Sequence, residues 1–187
     1  MAEQRVKLLS GLRGKVLEVG AGNGLNFAHY PAEVELVTAV EPDPYLRKRA
    51  TAAAESAGVR IEVADGTAES VPADDASFDA VVMSLVLCSV DQPAALREAR
   101  RVLKPGGRLH FLEHVRAETA GLERVQRVVD STVWPKLFGG CHTHRDTLKA
   151  LEAEGFEVIQ LERFRFPESG LPSPASTCIL GVATRAD

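Results

Sequence analysis

Short apolar runs alternate with amphipathic helical stretches along the chain, which is the pattern of an α/β fold. Four runs in the first half are apolar with little polar alternation, as expected of buried parallel strands. They are 15–19, 35–40, 59–64 and 78–84. A fifth strand is predicted at 108–113, and runs at 156–164 and 177–184, separated by a proline-rich loop, predict an antiparallel hairpin. The pattern therefore predicts a doubly wound α/β sheet, mostly parallel with an antiparallel last strand.

Residues 118–138 form a helical insertion between the fifth strand and the final hairpin. Their apolar side chains recur at helical spacing: Leu122, Val125, Val129 and Val133, with Trp134 and Phe138 beyond. Such a stripe is typical of a helix that packs on a core, and a membrane-surface helix is the alternative. We expect one domain over 1–187, with a helical insertion or lid around 118–138 that packs on the core.

Three glycines follow the first strand at alternate positions, Gly20, Gly22 and Gly24. Glycine suits such a turn because it accepts positive φ and has no Cβ to keep a ligand away. A helix is predicted to begin at about Leu25. A strand, a glycine turn and a helix N-terminus together form a cofactor site in α/β folds, although a tight turn without a ligand is the alternative.

Glu41 ends the second strand about 20 residues after the first glycine. A carboxylate at this place can accept hydrogen bonds from ribose hydroxyls, which is compatible with NAD and with other adenosine cofactors. The dinucleotide pattern G-x-G-x-x-G needs a glycine where Leu25 stands. The loop also lacks Lys and Arg to meet a phosphate, and Glu18 adds negative charge nearby. A cationic or zwitterionic nucleoside is therefore favoured over a pyrophosphate.

Three motifs occur in order over about residues 15–115: E-V-G-A-G-N-G, an acid at the end of the second strand, and L-K-P-G-G before the fifth strand. Together they resemble the class I S-adenosylmethionine (SAM) dependent methyltransferases. The resemblance implies a Rossmann-like fold, SAM as the cofactor and methyl transfer as the activity. It implies cofactor contacts at Glu18, Gly20, Ala21, Gly22, Asn23, Gly24, Asn26, Glu41, Pro42, Gly66, Thr67, Ala68, Ser84 and Leu85.

A narrower resemblance comes from L-V-L-C-S-V at 85–90, E-H-V at 113–115 and the stretch 137–152. These segments are similar to animal methyltransferase-like proteins that methylate alkyl thiols, and the family pattern places 85–90 over the methionine end of SAM. Those proteins carry an N-terminal membrane-anchoring segment, which we do not expect here because residues 1–15 lack a long apolar run.

The narrower resemblance implies a small, hydrophobic methyl acceptor, with a thiol as the first candidate. The alternatives are O-, N- or C-methylation of a quinone, phenol, lipid amine or natural product, and a non-catalytic SAM-binding protein. His114 ends the fifth strand and is the candidate general base. A histidine that only bonds the backbone there is the alternative.

The composition limits the classes of partner and the cellular location that we expect for this protein. The chain has 187 residues and a net charge of -4 without a basic block, so we expect a small-molecule partner and no nucleic acid. Cys88, Cys141 and Cys178 are odd in number and far apart, which predicts packed, reduced thiols of a cytoplasmic protein. His142 and His144 beside Cys141 match no zinc spacing, so we expect no metal. We expect no stable membrane insertion, because the apolar runs are too short for it. The pattern does not favour any particular oligomeric state.

Overall fold

The computed structural model describes residues 1–170 and 173–185, and the described residues form a seven-stranded sheet with helices on both faces. The strands are β1 Gly14–Val19, β2 Val34–Val40, β3 Ile61–Ala64, β4 Phe78–Ser84, β5 Leu103–His114, β6 Phe156–Arg165 and β7 Thr177–Arg185. The helices are α1 Ala2–Leu9, α2 Pro44–Ala54, α3 Gln92–Val102, α4 Ala120–Asp130, α5 Trp134–Leu137 and α6 Thr147–Ala153, with a 3₁₀ helix at Phe27–His29. Residues 171–172 of the predicted proline-rich loop lie outside the described residues.

The strand order is β3-β2-β1-β4-β5-β7-β6. Strands β1 to β5 pair in parallel, and β7 is antiparallel to both of its neighbours. The predicted Rossmann-like, doubly wound sheet with an antiparallel last strand is therefore confirmed. The strand order reverses between β1 and β4, and such a switch point opens a crevice at the carboxyl ends of the strands.

Two apolar layers cover the two faces of the sheet. Consecutive residues of β5 enter opposite layers: Phe111 packs with α3 and α6, whereas Leu112 packs with α1 and the segment after β1. Helices α2 and α3 begin where the sequence supplies a cap. The Asp43 carboxylate accepts the N–H groups at the start of α2, and the Asp91 carboxylate accepts one at the start of α3. These caps set where each helix leaves the carboxyl edge of the sheet.

The helix expected from Leu25 is reduced to the single 3₁₀ turn Phe27–His29. Tyr30 ends this turn in an extended conformation, as the following Pro31 requires. The Tyr30 hydroxyl also donates a hydrogen bond of 2.6 Å to the buried carboxylate of Glu18. The chain is therefore turned back toward the core before a full helix can form.

The insertion at 118–138 is helical, as expected, and contains α4 and α5. Gln126 of α4 is fully buried, and the apolar stripe is divided: Val125, Val133 and Phe138 are exposed, whereas Leu122, Val129 and Trp134 are half-buried. The core-packing expectation was therefore wrong for the exposed half of the stripe. Gln126 satisfies buried backbone groups of other segments, and this turns the polar side of α4 inward.

Candidate functional site

The carboxyl ends of four strands bring most of the predicted site residues to one edge of the sheet. Strand β1 ends in register with its neighbours β2 and β4, so Gly20, Glu41 and Ser84 lie side by side. Strand β5 ends beside β4 and adds Glu113 and His114 at the same edge. The topology therefore assembles one site from segments that are far apart in sequence.

The glycine loop is shaped for packing at one position and for ligand approach at another. Gly20 has φ +66°, and a Cβ there would lie 2.6 Å from a methyl group of Val86. Gly22 has φ +57°, and a Cβ there would meet no atom within 4 Å. The open space at Gly22 is a cradle that a side chain would partly fill, and a nucleoside cofactor fits it. The other predicted loop residues are Ala21, Asn23 and Gly24.

Glu41 is buried at the mouth of the glycine loop. Its Oε2 accepts the N–H group of Gly22 at 2.8 Å, and its Oε1 accepts the N–H group of Asp43 at 3.0 Å. The guanidinium of Arg47 donates to the carbonyl oxygens of Glu41 at 2.7 Å and of exposed Pro42 at 3.0 Å. The carboxylate is thus fixed before any ribose binds. Arg47 was not predicted from the sequence, because its role depends on the path of α2.

Glu18 and Asn26 lie beneath the loop and hold it from below. The buried Glu18 carboxylate accepts hydrogen bonds from Asn26 at 2.8 Å and from the Tyr30 hydroxyl. Arg5 of α1 donates to the Asn26 amide oxygen at 2.6 Å. Burial raises the pKa of Glu18 to about 7, although its two hydrogen bonds favour the ionised form. A direct contact of Glu18 or Asn26 with the cofactor stays a prediction.

The turn after β3 carries three further predicted contacts, Gly66, Thr67 and Ala68. Thr67 and Ser70 exchange two backbone hydrogen bonds of 3.3 Å, which close the turn. The Thr67 side chain is exposed, whereas Ala68 is buried in the core. Thr67 can therefore offer its hydroxyl to an adenine ring, and Ala68 can contribute only its backbone.

The loop after β4 is held by Glu113, which is fully buried. Its Oε1 accepts the N–H groups of Val86 at 2.9 Å and Leu87 at 3.0 Å, and its Oε2 accepts that of Cys88 at 3.3 Å. Leu85 enters this loop with φ +61°, a left-handed conformation that is strained for leucine. Burial raises the pKa of Glu113 to about 8 against the opposing effect of the three N–H groups. The sequence analysis named Glu113 only as the neighbour of His114.

Two further polar groups lie at this edge of the sheet. The Ser84 hydroxyl is buried and has no hydrogen-bond partner within the described ranges 1–170 and 173–185. The Nδ1 atom of His114 lies 3.4 Å from the Cys178 sulfur, and the imidazole also hydrogen-bonds the backbone of Ala175. Burial lowers the pKa of the imidazole against the opposing effect of that backbone bond. His114 is therefore neutral near pH 7 and can accept a proton.

Cys88 and Cys141 connect the loop after β4 to the segment that follows the insertion. The His142 N–H group donates to the Cys88 carbonyl oxygen at 2.8 Å. A hydrogen bond from the Cys88 thiol lowers the pKa of Cys141 below that of an ordinary cysteine. The ring of His144 contacts Glu123 at 3.1 Å. Over the part of the chain that the structure describes, no group of three or more His, Cys, Asp or Glu side chains is arranged to hold a metal ion.

The glycine loop and the fixed carboxylate of Glu41 lie at the switch point of the sheet, and the strand next to its β6 edge is antiparallel. This is the arrangement of the class I SAM-dependent methyltransferases. The family described as "Methyltransferase domain" matches residues 17–111, about half of the chain, and the chain belongs to this family. The predicted methyltransferase activity and the predicted cofactor SAM are confirmed.

Similar proteins agree with this assignment. The thiol S-methyltransferase TMT1A of Homo sapiens is 39% identical over 182 residues, covering 90% of this chain and 74% of that protein. A proposed methyltransferase from Bacillus halodurans superposes with a TM-score of 0.79 at 19% identity, over 100% of this chain and 99% of that chain. A geranyl diphosphate methyltransferase solved with SAM superposes with a TM-score of 0.75 at 14% identity, over 99% of this chain and 84% of that chain. The two structures share the fold.

Among residues 1–170 and 173–185, no helix is long and apolar enough to cross a bilayer.

Proposed function

We propose that the protein transfers the methyl group of SAM to the sulfur of a small hydrophobic thiol. The observation that carries this proposal is the 39% identity to the human thiol S-methyltransferase TMT1A, which spans 90% of this chain. The similarity therefore extends well beyond the cofactor-binding segments, into the regions that contact an acceptor in a fold of this type.

The chemistry of a thiol fits this site. A thiol has a pKa of about 8.5, so a few per cent is ionised near pH 7 without help. The thiolate attacks the sulfonium methyl group in line, a carbon–sulfur bond forms as another breaks, and the opposite charges cancel. An apolar wall favours this loss of charge, and the apolar loop after β4, Leu85 to Leu87, would provide one. Alignment of the two reactants is the main task left to the protein.

We also propose that the acceptor is a small molecule rather than a nucleic acid, and that the protein works in the cytoplasm. The net charge of -4 and the lack of a basic block support the first point. The widely spaced, odd-numbered cysteines support the second, because they are free thiols.

An acceptor panel with labelled SAM tests the proposal. Alkyl thiols, phenols and amines of similar size are compared by mass spectrometry, and we expect the thiols to be methylated fastest. The rate should rise with pH toward the pKa of the thiol, and a more acidic thiol should shift the rise to lower pH. Methylated phenols or amines with inert thiols would contradict the thiol assignment. SAM binding without transfer to any acceptor would contradict catalysis itself.

Replacing His114 with alanine is expected to matter only when the acceptor needs a base. The neutral imidazole can take a proton from a weakly acidic thiol, whereas an acidic thiol is already ionised. We expect a small loss of rate with an acidic thiol and a larger one, about tenfold or more, with a weakly acidic thiol. Cys88→Ala serves as the control and should stay active, because direct transfer needs no covalent enzyme intermediate. An equal loss with both thiols would mean that His114 is structural.

A further inference from the structure

Helix α4 is fastened to the domain by a buried glutamine. The side chain of Gln126 is 0% exposed, and its Oε1 accepts the N–H group of Ala117 at 2.7 Å. Its Nε2 donates to the carbonyl oxygens of Val115 and Thr143 at 3.1 Å and of Pro174 at 2.8 Å. One polar side chain thus joins α4 to three separate segments.

Asp130 provides a second anchor one turn later on the same side of α4. Its Oδ1 accepts both the N–H group and the hydroxyl of Thr143 at 2.9 Å, and its Oδ2 accepts the N–H group of His144 at 2.8 Å. Residues four apart share one face of a helix, so Gln126 and Asp130 fix the rotation of α4 about its axis. Leu122 and Val129 flank this face and are half-buried, whereas Val125 and Val128 on the far side of α4 are exposed.

These outward side chains form what we call the outer apolar surface. It consists of Val125, Val128, Val133, Leu137 and Phe138, which are 48%, 62%, 52%, 72% and 53% exposed. The ring of Phe138 stacks on Trp134 with 4.1 Å between the ring centroids, which keeps it in place. Grouped, exposed apolar residues on a soluble domain mark an interaction surface. Here the helix is attached through its polar residues, so its apolar residues remain available to a partner.

Exposed cations lie beside the outer apolar surface, although the whole chain carries a net charge of -4. Arg124 and Lys136 are exposed beside it, and Arg127 is exposed but pairs with Glu123 at 3.1 Å. The three acidic residues of 118–138 are engaged: Glu118 pairs with Arg163 at 3.5 Å, Glu123 pairs with Arg127 and the ring of His144, and Asp130 faces inward. Apolar residues with cations at their border are the combination that binds the interface of an anionic bilayer.

We propose that the outer apolar surface docks in the headgroup region of membranes that contain anionic lipids, without spanning them. A second copy of the chain is a poorer partner, because a twofold contact would bring Arg124 and Lys136 of both copies together. This inference does not depend on the acceptor, and its test needs neither a thiol nor methyl transfer.

Vesicle binding provides the test, and Trp134 is its probe because it is the only tryptophan of the chain. Phosphatidylcholine vesicles are compared with vesicles that also contain phosphatidylglycerol, and brominated lipids report contact by quenching. We expect flotation with the anionic vesicles, quenching of Trp134, and weaker binding at high salt because the cations are screened. Absence of quenching and flotation with the anionic vesicles would overturn the proposal.

The double variant Val128→Asp with Leu137→Asp is expected to lower vesicle binding at least tenfold while SAM binding stays unchanged. Ile159→Asp is the matched control, since Ile159 is 46% exposed on β6, and it should bind vesicles normally. Equal losses in both variants would contradict a specific surface. Sedimentation that shows a dimer lost only in the double variant, with vesicle binding intact, would assign the surface to a second copy and overturn the lipid proposal.

Discussion

Replacing Glu41 with alanine is expected to weaken SAM binding by about 1.5 to 3 kcal/mol, which is roughly ten- to 150-fold in Kd. Its carboxylate is already oriented by the N–H groups of Gly22 and Asp43, so ribose hydroxyls meet a fixed acceptor. The variant loses this acceptor and also leaves the Gly22 N–H group without its partner. Isothermal titration calorimetry with SAM and with its demethylated product measures the effect.

Two further variants sharpen this measurement. Glu41→Asp should be intermediate, because the carboxylate is withdrawn by one methylene. Glu62→Ala is the control, since Glu62 is an exposed acid on β3 that pairs with Arg60, and it should leave the Kd unchanged. An unaltered Kd in both Glu41 variants would place the ribose elsewhere. Thermal unfolding of each variant separates a lost cofactor contact from a disordered loop.

The sheet could be predicted because central parallel strands have an unambiguous pattern. Phe78–Ser84 is apolar at nearly every position, and the structure gives it those bounds. Glu41 and the glycines could likewise be found, because their meaning depends on the distance along the chain between two adjacent strands. Both features are local or nearly local in sequence.

The orientation of α4 could not be predicted in the same way. Val125 and Val129 are spaced by one turn, and so are Gln126 and Asp130, so spacing alone allows either side to face the domain. The orientation of α4 is determined by buried backbone groups that need hydrogen-bond partners, at Val115, Ala117, Thr143 and Pro174. These groups are near α4 only in the folded chain, and a sequence pattern does not show them.

The hydrogen bonds that support the site from distant segments were not predicted, for the same reason. Arg5 reaches Asn26 across the domain, and Glu113 meets the N–H group of Val86, 27 residues away, only because β4 and β5 pair. The one local signal was an acid next to His114 at the end of a strand. Acids at the carboxyl edge of a parallel sheet therefore have two uses, cofactor contact as proposed for Glu41 and loop support as seen for Glu113.

Replacing Glu113 with alanine is expected to remove most methyl transfer, about 100-fold or more, and to lower the free energy of unfolding by several kcal/mol. Three buried N–H groups would lose their acceptor, and each unsatisfied group costs about 1 to 3 kcal/mol. The loop after β4 would then no longer hold Leu85 in its strained conformation. SAM affinity should fall less than turnover, because the contacts of the glycine loop and Glu41 remain. Urea unfolding, calorimetry and turnover on a thiol measure the three effects, and equal losses of affinity and turnover would contradict a role for this loop in alignment.

Glu113→Gln separates the charge of this residue from its hydrogen bonds. The amide keeps one acceptor oxygen, so the variant should fold and be less impaired than Glu113→Ala. The pKa of Glu113 is raised to about 8 from 4.5, so the folded protein holds a proton that the unfolded chain releases. The contribution of this bound proton to the free energy of unfolding is complete below about pH 4.5. It is lost as pH rises toward 8, at up to roughly 1.4 kcal/mol per pH unit. Glutamine does not titrate, so wild type should lose stability relative to Glu113→Gln between about pH 5 and 8. Parallel stability curves over that range would show that Glu113 is already ionised in the folded protein, held by its three N–H donors.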